Sequence, residues 1–230
     1  MEAARRAPDA GAPMFDFDAV DFVTADHHFG HARIIEHARR PFGNVEDMDS
    51  YLVERWNSIV PPDAVVLHLG DLLMASMNDV GDALALTRQL HGRRLLVPGN
   101  HDWVSRATQT RTRIHSMTPL YQAAGWTVLP EVLNGSRRGR LLRASHYPYD
   151  TGSRDKFSKI RPIDDGRPLV HGHTHSTTAF SDENAAMHVG VDAWNFTPVA
   201  MTEVDRWLGS TQLMKARREV LLGASEQPSY

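Results

Sequence analysis

Five short fragments of this chain bring together the residue types that hold metal ions: Asp26-His27-His28, Gly70-Asp71, Gly99-Asn100-His101-Asp102, His146 and Gly172-His173-Thr174-His175. Between them they offer carboxylate oxygen, amide oxygen and imidazole nitrogen, the mixture of donors that two adjacent divalent cations take from a protein. Such a pair of ions polarises a phosphoryl oxygen, and a hydroxide activated between them attacks phosphorus in line with the leaving group. The donor set reads as that of a binuclear metallohydrolase.

Two neighbouring ions need a bridging carboxylate, and Asp71 is the candidate, because it ends an apolar run and its two oxygens can span both ions. Asp26 and His28 lie two residues apart, so in an extended chain both face one ion while His27 points away. His173 and His175 stand in the same relation, which allows one per ion or both on one side. His101 is followed by Asp102, whose carboxylate can hold the imidazole in one tautomer or keep it protonated. A protonated imidazole near the leaving oxygen acts as a general acid, a role worth about 10² to 10⁴ in rate. Taken singly, Gly-Asp or Asp-x-His is an ordinary turn. The weight lies in finding all five, in order, each behind an apolar run.

Those runs are the elements that must position the site. AVDFVTA ends at Asp26, AVVLHLG at Asp71 and RRLLVPG at Asn100, with amphipathic stretches His31 to Arg40 and Val80 to Leu90 between them. Asn44, with Asp47 three residues on, predicts a helix start, and Met48, Leu52, Trp56 and Ile59 then share one side until Pro61-Pro62. The first half therefore reads β, α, β, α, β. After residue 125 come the shorter runs WTVLPEV, RLLRAS, RPLVHG and MHVGVD, read as richer in antiparallel pairing, and then a helical stretch Thr202 to Leu222. Strand ends are where loops converge in sheets of the α/β kind, so five segments are expected to meet at one place.

At 230 residues and 41% hydrophobic content the chain has material for one domain over residues 16–230, behind an aperiodic tail at residues 1–15. A net charge of −3 supplies no global attraction for a long polyanion. The lack of cysteine removes disulfides, thiolate catalysis and Cys-type zinc sites, leaving His, Asp, Glu and Asn as ligands. Thirteen histidines are roughly twice ordinary usage or more, and many fall in the fragments above. With no apolar leader and no membrane-length run, a cytoplasmic protein without membrane contact is expected.

The order D-x-H, G-D, G-N-H-[DE], H, G-H-x-H resembles that of the calcineurin-like metallophosphoesterase superfamily, over residues 20–200 and with no motif missing. The resemblance implies a four-layer α/β/β/α sandwich of two mixed β-sheets flanked by helices. It implies one ion held by Asp26, His28, Asp71 and His175, a second held by Asp71, Asn100, His146 and His173, and His101 assisting the leaving group. Two divalent ions follow, Mn²⁺ first, with Fe, Zn or Mg as alternatives. TADHHFGH, His68 in HLGD, SHYPY and VGVDAWNFTPV resemble a small, single-domain bacterial and phage-type branch. The expected substrate is a small phosphodiester or phosphomonoester, nucleotide-like. A nuclease on DNA or RNA is the second reading, disfavoured by composition and by the lack of the appended segments that double-strand-break nucleases carry. A catalytically silent binding module is the third.

Around the mouth, His31 is read as a phosphate contact or as the start of a helix, and Tyr147 and Tyr149 as base-stacking or core residues. The charged run Asp150 to Arg167, with Arg154, Lys156, Lys159, Arg161 and Arg167, is read as a solvated loop or as a lid bringing positive charge to a substrate. Arg39 and Arg40 are secondary candidates for the same task.

Overall fold

The computed structural model describes residues 14–150, 152, 157, 160–181 and 185–211. The proposed lid residues Arg154, Lys156 and Lys159, and most of the proposed tail, lie outside these. The first strand of the described residues begins at Phe15, the last position of that stretch.

Among the described residues ten strands form two five-stranded sheets. The first is built from β2 (Phe22–Thr24), β3 (Val65–His68), β4 (Arg93–Leu96) and β5 (Trp126–Val128), all parallel, with β10 (Val199–Ala200) antiparallel at the β2 edge. The second runs β1 (Phe15–Asp16), β6 (Val132–Arg137), β7 (Arg140–Ser145), β8 (Leu169–His171) and β9 (Ala186–His188). Its pairings are parallel except for the β6–β7 hairpin; with β10–β2, both antiparallel strand pairings among the described residues involve strands after residue 125, as expected, although parallel neighbours outnumber them there. Long returns after β7 and β8 permit parallel neighbours, while the tight Arg138-Gly139 turn enforces the single hairpin. The stretch WTVLPEV is likewise two strands in different sheets, interrupted at Pro130, which has no N–H to continue a ladder.

Side-chain alternation along the strands decides the layers. Val66 and Leu96 face helices α2 (Val45–Ile59), α3 (Val80–Thr87) and α4 (Arg111–Ala123), packing with Met48, Leu52, Trp56, Leu84 and Tyr121. Their neighbours Leu67, Leu95 and Val97 face the opposite way, into a second core shared with Leu133, Leu142, Val170 and Met187 of the other sheet. The two mixed sheets thus lie face to face with helices flanking them, and residues 201–211 add a helix whose Val204 and Leu208 enter the inter-sheet core. The Asn44 cap is present, its side chain accepting the Asp47 N–H at 2.8 Å. Ile59 is 38% exposed because the helix ends there, and Val60 turns inward in its place. Helix α4, capped by Thr110, was not anticipated: Pro119 and three early charges or polar groups obscure an apolar row of Met117 and Tyr121.

Candidate metal centre

Asp26, Asp71, Asn100, His146, His173 and His175 each follow a strand by five residues or fewer, and the strands concerned end on the same side of the sandwich. The loops are stitched to one another by backbone bonds. The Asp26 N–H donates to Gly70 O and the His28 N–H to Asp71 O, both at 3.0 Å, and the Gly172 N–H donates to His146 O at 3.0 Å. Gly70 and Gly99 are required for this closeness. A Cβ on Gly70 would lie 2.3 Å from Gly99 N, and one on Gly99 would lie 2.3 Å from Asp71 Oδ1.

The backbone at this edge is unusual. Among the described residues nine non-glycines have positive φ, and Asp26, His28, Asp71, His173 and His175 are five of them, at 62°, 55°, 53°, 75° and 49°. Each costs about 1 kcal/mol or more relative to ordinary conformations, so the surrounding structure must over-determine them. Asp26 and His28 do reach the same side, as expected, but by two left-handed residues and not by an extended strand, which ends at Thr24.

Asp71 sits at the middle. Its Oδ1 accepts the His101 N–H at 2.9 Å, leaving Oδ2, which lies 3.5 Å from both His28 Nε2 and His146 Nε2. One oxygen therefore faces both halves of the donor set, where the sequence suggested a two-oxygen span. Three groups come together within mutual reach: Asp26, His28 and His175; Asp71, His146 and His173; and His28, Asp71 and His101. Asn100 Oδ1 and His173 Nδ1 each lie 3.1 Å from His146 Nε2. Two donors about 2.1 Å from one cation stand about 3.0 Å apart at a right angle and about 3.4 Å apart at the tetrahedral angle, so these separations fit shared cations.

The electrostatics fit as well. Burial holds His28 well below the usual imidazole range, His146 down to about 4 and His173 down to about 3, so each keeps the lone pair a cation requires. His146 Nδ1–H donates to Leu69 O at 2.8 Å, which puts the lone pair on Nε2. His28 Nε2 is buried with no hydrogen-bond partner. Burial, with Asp102 and Asp26 nearby, pushes the Asp71 carboxyl well up. Burial pushes Asp26 upward too, but the His188 imidazole, 3.5 Å from its Oδ2, and those of His146 and His175 hold it low. A buried anion with neutral nitrogen donors around it calls for a cation.

Several residues depart from their expected parts. Asp102 does not present itself to the His101 imidazole: Oδ2 accepts the N–H groups of Asp71 and Gly99 at 2.9 and 2.8 Å, and Oδ1 that of Leu72 at 3.2 Å. It positions the two loops. A carboxylate surrounded by backbone donors is satisfied without an imidazole. His31 opens the short helix α1 (Ala32–His37), with Nδ1 3.1 Å from His28 Nδ1, and so orients His28. Tyr147 is a packed residue, its ring against His146, His173 and Phe157. Arg40 is buried, donating to Asp26 O, His27 O and the Asp192 carboxylate, and is unavailable to a phosphate. His101 stands at the mouth, its side chain 33% exposed and Nε2 3.9 Å from Asp71 Oδ2.

Asp192 was missed. Its Oδ2 lies 2.9 Å from His175 Nδ1, opposing the effect of burial and raising that imidazole, and leaving Nε2 for the centre. Its signal was available: it follows β9 just as the candidate donors follow their strands. Carboxylates behind ligand histidines govern affinity, so Asp192→Asn should weaken divalent-ion binding about tenfold, read by calorimetric titration with Mn²⁺. Unchanged binding would remove Asp192 from the centre.

No family model matches the chain. It is 34% identical over 187 residues to the Gene 66 protein of Mycobacterium phage L5, covering 75% of this chain and 86% of that protein. The Gene 66 protein of Mycobacterium phage D29 is 33% identical over 190 residues, covering 76% and 88%. Among solved structures, a protein of unknown function from Aquifex aeolicus superposes with a TM-score of 0.54 at 21% identity, over 80% of this chain and 97% of that one, a likeness of fold.

Proposed function

The chain belongs to the family of the Gene 66 proteins of Mycobacterium phages L5 and D29, and from the centre it carries we propose that it is a metal-dependent phosphoester hydrolase of the calcineurin-like type. The observation that carries this reading is Asp71 Oδ2, equidistant at 3.5 Å from imidazole nitrogens on two sides. Asp26, His28, Asp71 and His175 would hold one divalent cation, and Asp71, Asn100, His146 and His173 the other. Four imidazoles among these donors favour Mn²⁺, Fe or Zn²⁺ over Mg²⁺. Bound there, the cations supply Lewis acidity toward a phosphoryl oxygen and an activated water.

The protein's own groups do the rest. His101, with a third of its side chain open to solvent beside the centre, is placed to give a proton to the departing oxygen. The buried walls exclude bulk water behind the donors, strengthening every charge interaction at phosphorus. A cleft of about 390 Å³ adjoins the loop that carries His173 and His175, lined by Thr174, Ser176, Arg161, Tyr149 and Phe180 among others. Its size suits the substituent of a small, nucleotide-like ester. Among the described residues no helix is long and apolar enough to cross a membrane.

The test is a panel on Mn²⁺-loaded protein: an aryl phosphomonoester, an aryl phosphodiester, cyclic nucleotides and short oligonucleotides. Chelator-sensitive turnover of small esters is expected. Loaded protein that hydrolyses nothing in the panel would end the reading, and turnover restricted to oligonucleotides would make the protein a nuclease. Arg161→Ser should raise KM for nucleotide substrates about threefold or more while leaving a simple aryl phosphate nearly unchanged, because only the former has a group to place in the cleft. An equal effect on both would remove Arg161 from substrate choice.

A further inference from the structure

Between two proposed ligands, His27 turns its ring away from the centre and into the core beneath α2, where its Nδ1 lies 2.9 Å from His68 Nε2. Both residues are 0% exposed. The direction of this bond follows from its far end. The Gly70 N–H donates to His68 Nδ1 at 3.1 Å, so that nitrogen carries the lone pair and the neutral ring has its proton on Nε2. His68 Nε2–H therefore donates to His27 Nδ1. His27 is then protonated at Nε2, which has no hydrogen-bond partner. The ring is enclosed by aromatics, with Phe29 stacked at 5.3 Å and Trp56 edge-on at 5.3 Å.

Two imidazoles in an aromatic core lose solvation that two aliphatic side chains would not, and one of them leaves a donor unpaired. Neither points at the centre. Their shared property is what they connect: His27 is flanked by Asp26 and His28, and His68 holds the amide next to Asp71. The linked segments are those that carry left-handed Asp26, His28 and Asp71, conformations that need external support.

We propose that the His27–His68 pair is a positioning device for the metal centre, a chain from the Gly70 N–H through two neutral imidazoles that sets the peptides on either side of His27 against the Asp71 loop. This rests on the metal reading above. Asn at position 27 retains an acceptor near the place of Nδ1, whereas Leu fills space without one. Asn at position 68 retains the acceptor for Gly70 but does not reach His27.

The experiment is calorimetric titration of the metal-free protein with Mn²⁺, alongside the Tm of each metal-free variant. His27→Leu and His68→Asn should weaken Mn²⁺ binding about tenfold or more, and His27→Asn should stay within about threefold of wild type. A purely structural role would instead lower Tm in each and leave the affinity of the folded protein unchanged, overturning the proposal. Asn at position 27 doing no better than Leu would overturn it as well. If His27→Leu does not fold, the comparison of His68→Asn with His27→Asn decides in the same way. Wild-type protein that takes up no Mn²⁺ overturns the metal reading and this proposal together, whereas wild-type uptake with unaltered variants overturns the proposal and leaves the metal reading standing.

Discussion

Of the two cations proposed for the centre, Asp71→Asn should lose at least one, and kcat should fall by about a thousandfold or more. The orientation of the new amide is dictated by the His101 N–H, which donates to Oδ1 at 2.9 Å and needs an acceptor there. The amide oxygen stays on that side, so the NH2 group occupies the place of Oδ2, 3.5 Å from His28 Nε2 and His146 Nε2. An NH2 group has no lone pair to offer a cation. The substitution also removes the negative charge shared by both halves of the site. Elemental analysis and turnover of the Mn²⁺-loaded variant read the two effects. Retention of both ions, or unchanged turnover, would refute the bridging role.

The same variant has a second expected signature that separates a damaged site from a damaged fold. Burial together with Asp102 and Asp26 raises the Asp71 carboxyl well above the ordinary range, so its ionised form opposes folding at neutral pH when no cation compensates it. That penalty is absent below the unfolded-state value and grows as pH rises past it. Metal-free Asp71→Asn should therefore have a higher Tm than metal-free wild type near pH 7, with the difference vanishing in acid. A lower Tm would mean the carboxylate serves the fold more than the centre.

His101→Gln should leave metal content nearly intact and lower kcat by about 10² or more. The imidazole stands at the mouth, with its ring centroid 5.1 Å from that of His28, and its backbone N–H, retained in the variant, still fixes Asp71. Proton donation matters most when the leaving oxygen is basic, so the loss should shrink for a dinitrophenyl ester. An equal loss for good and poor leaving groups would argue against the acid. His28, Asp71 and His101 also form a group able to hold a cation, so loss of metal in the variant would make His101 a ligand.

Much of this centre was legible in the amino-acid order because each donor follows a hydrophobic run, and a buried strand that ends in a polar residue must deliver it to the sheet edge. Asp26, His28, Asp71, Asn100, His146, His173 and His175 were all named on that ground or by resemblance, and all meet there. The alternation that sends Val66 and Leu67 to opposite cores, and the Asn44 cap, are likewise local consequences of residue type. Tertiary structure decided which polar residues serve the centre from behind. Asp102 satisfies three backbone amides, Arg40 lies buried against Asp192, and Asp192 steadies His175 from a loop 17 residues away. Nothing in the local sequence distinguishes a carboxylate that faces a cation from one that faces a peptide N–H, because the two are the same chemical group in different surroundings. The left-handed turns at Asp26, His28 and Asp71 belong to that second class too: the mild tolerance of Asp and His for such backbone does not select them by itself, and contacts between segments distant in the chain make them the lowest state available.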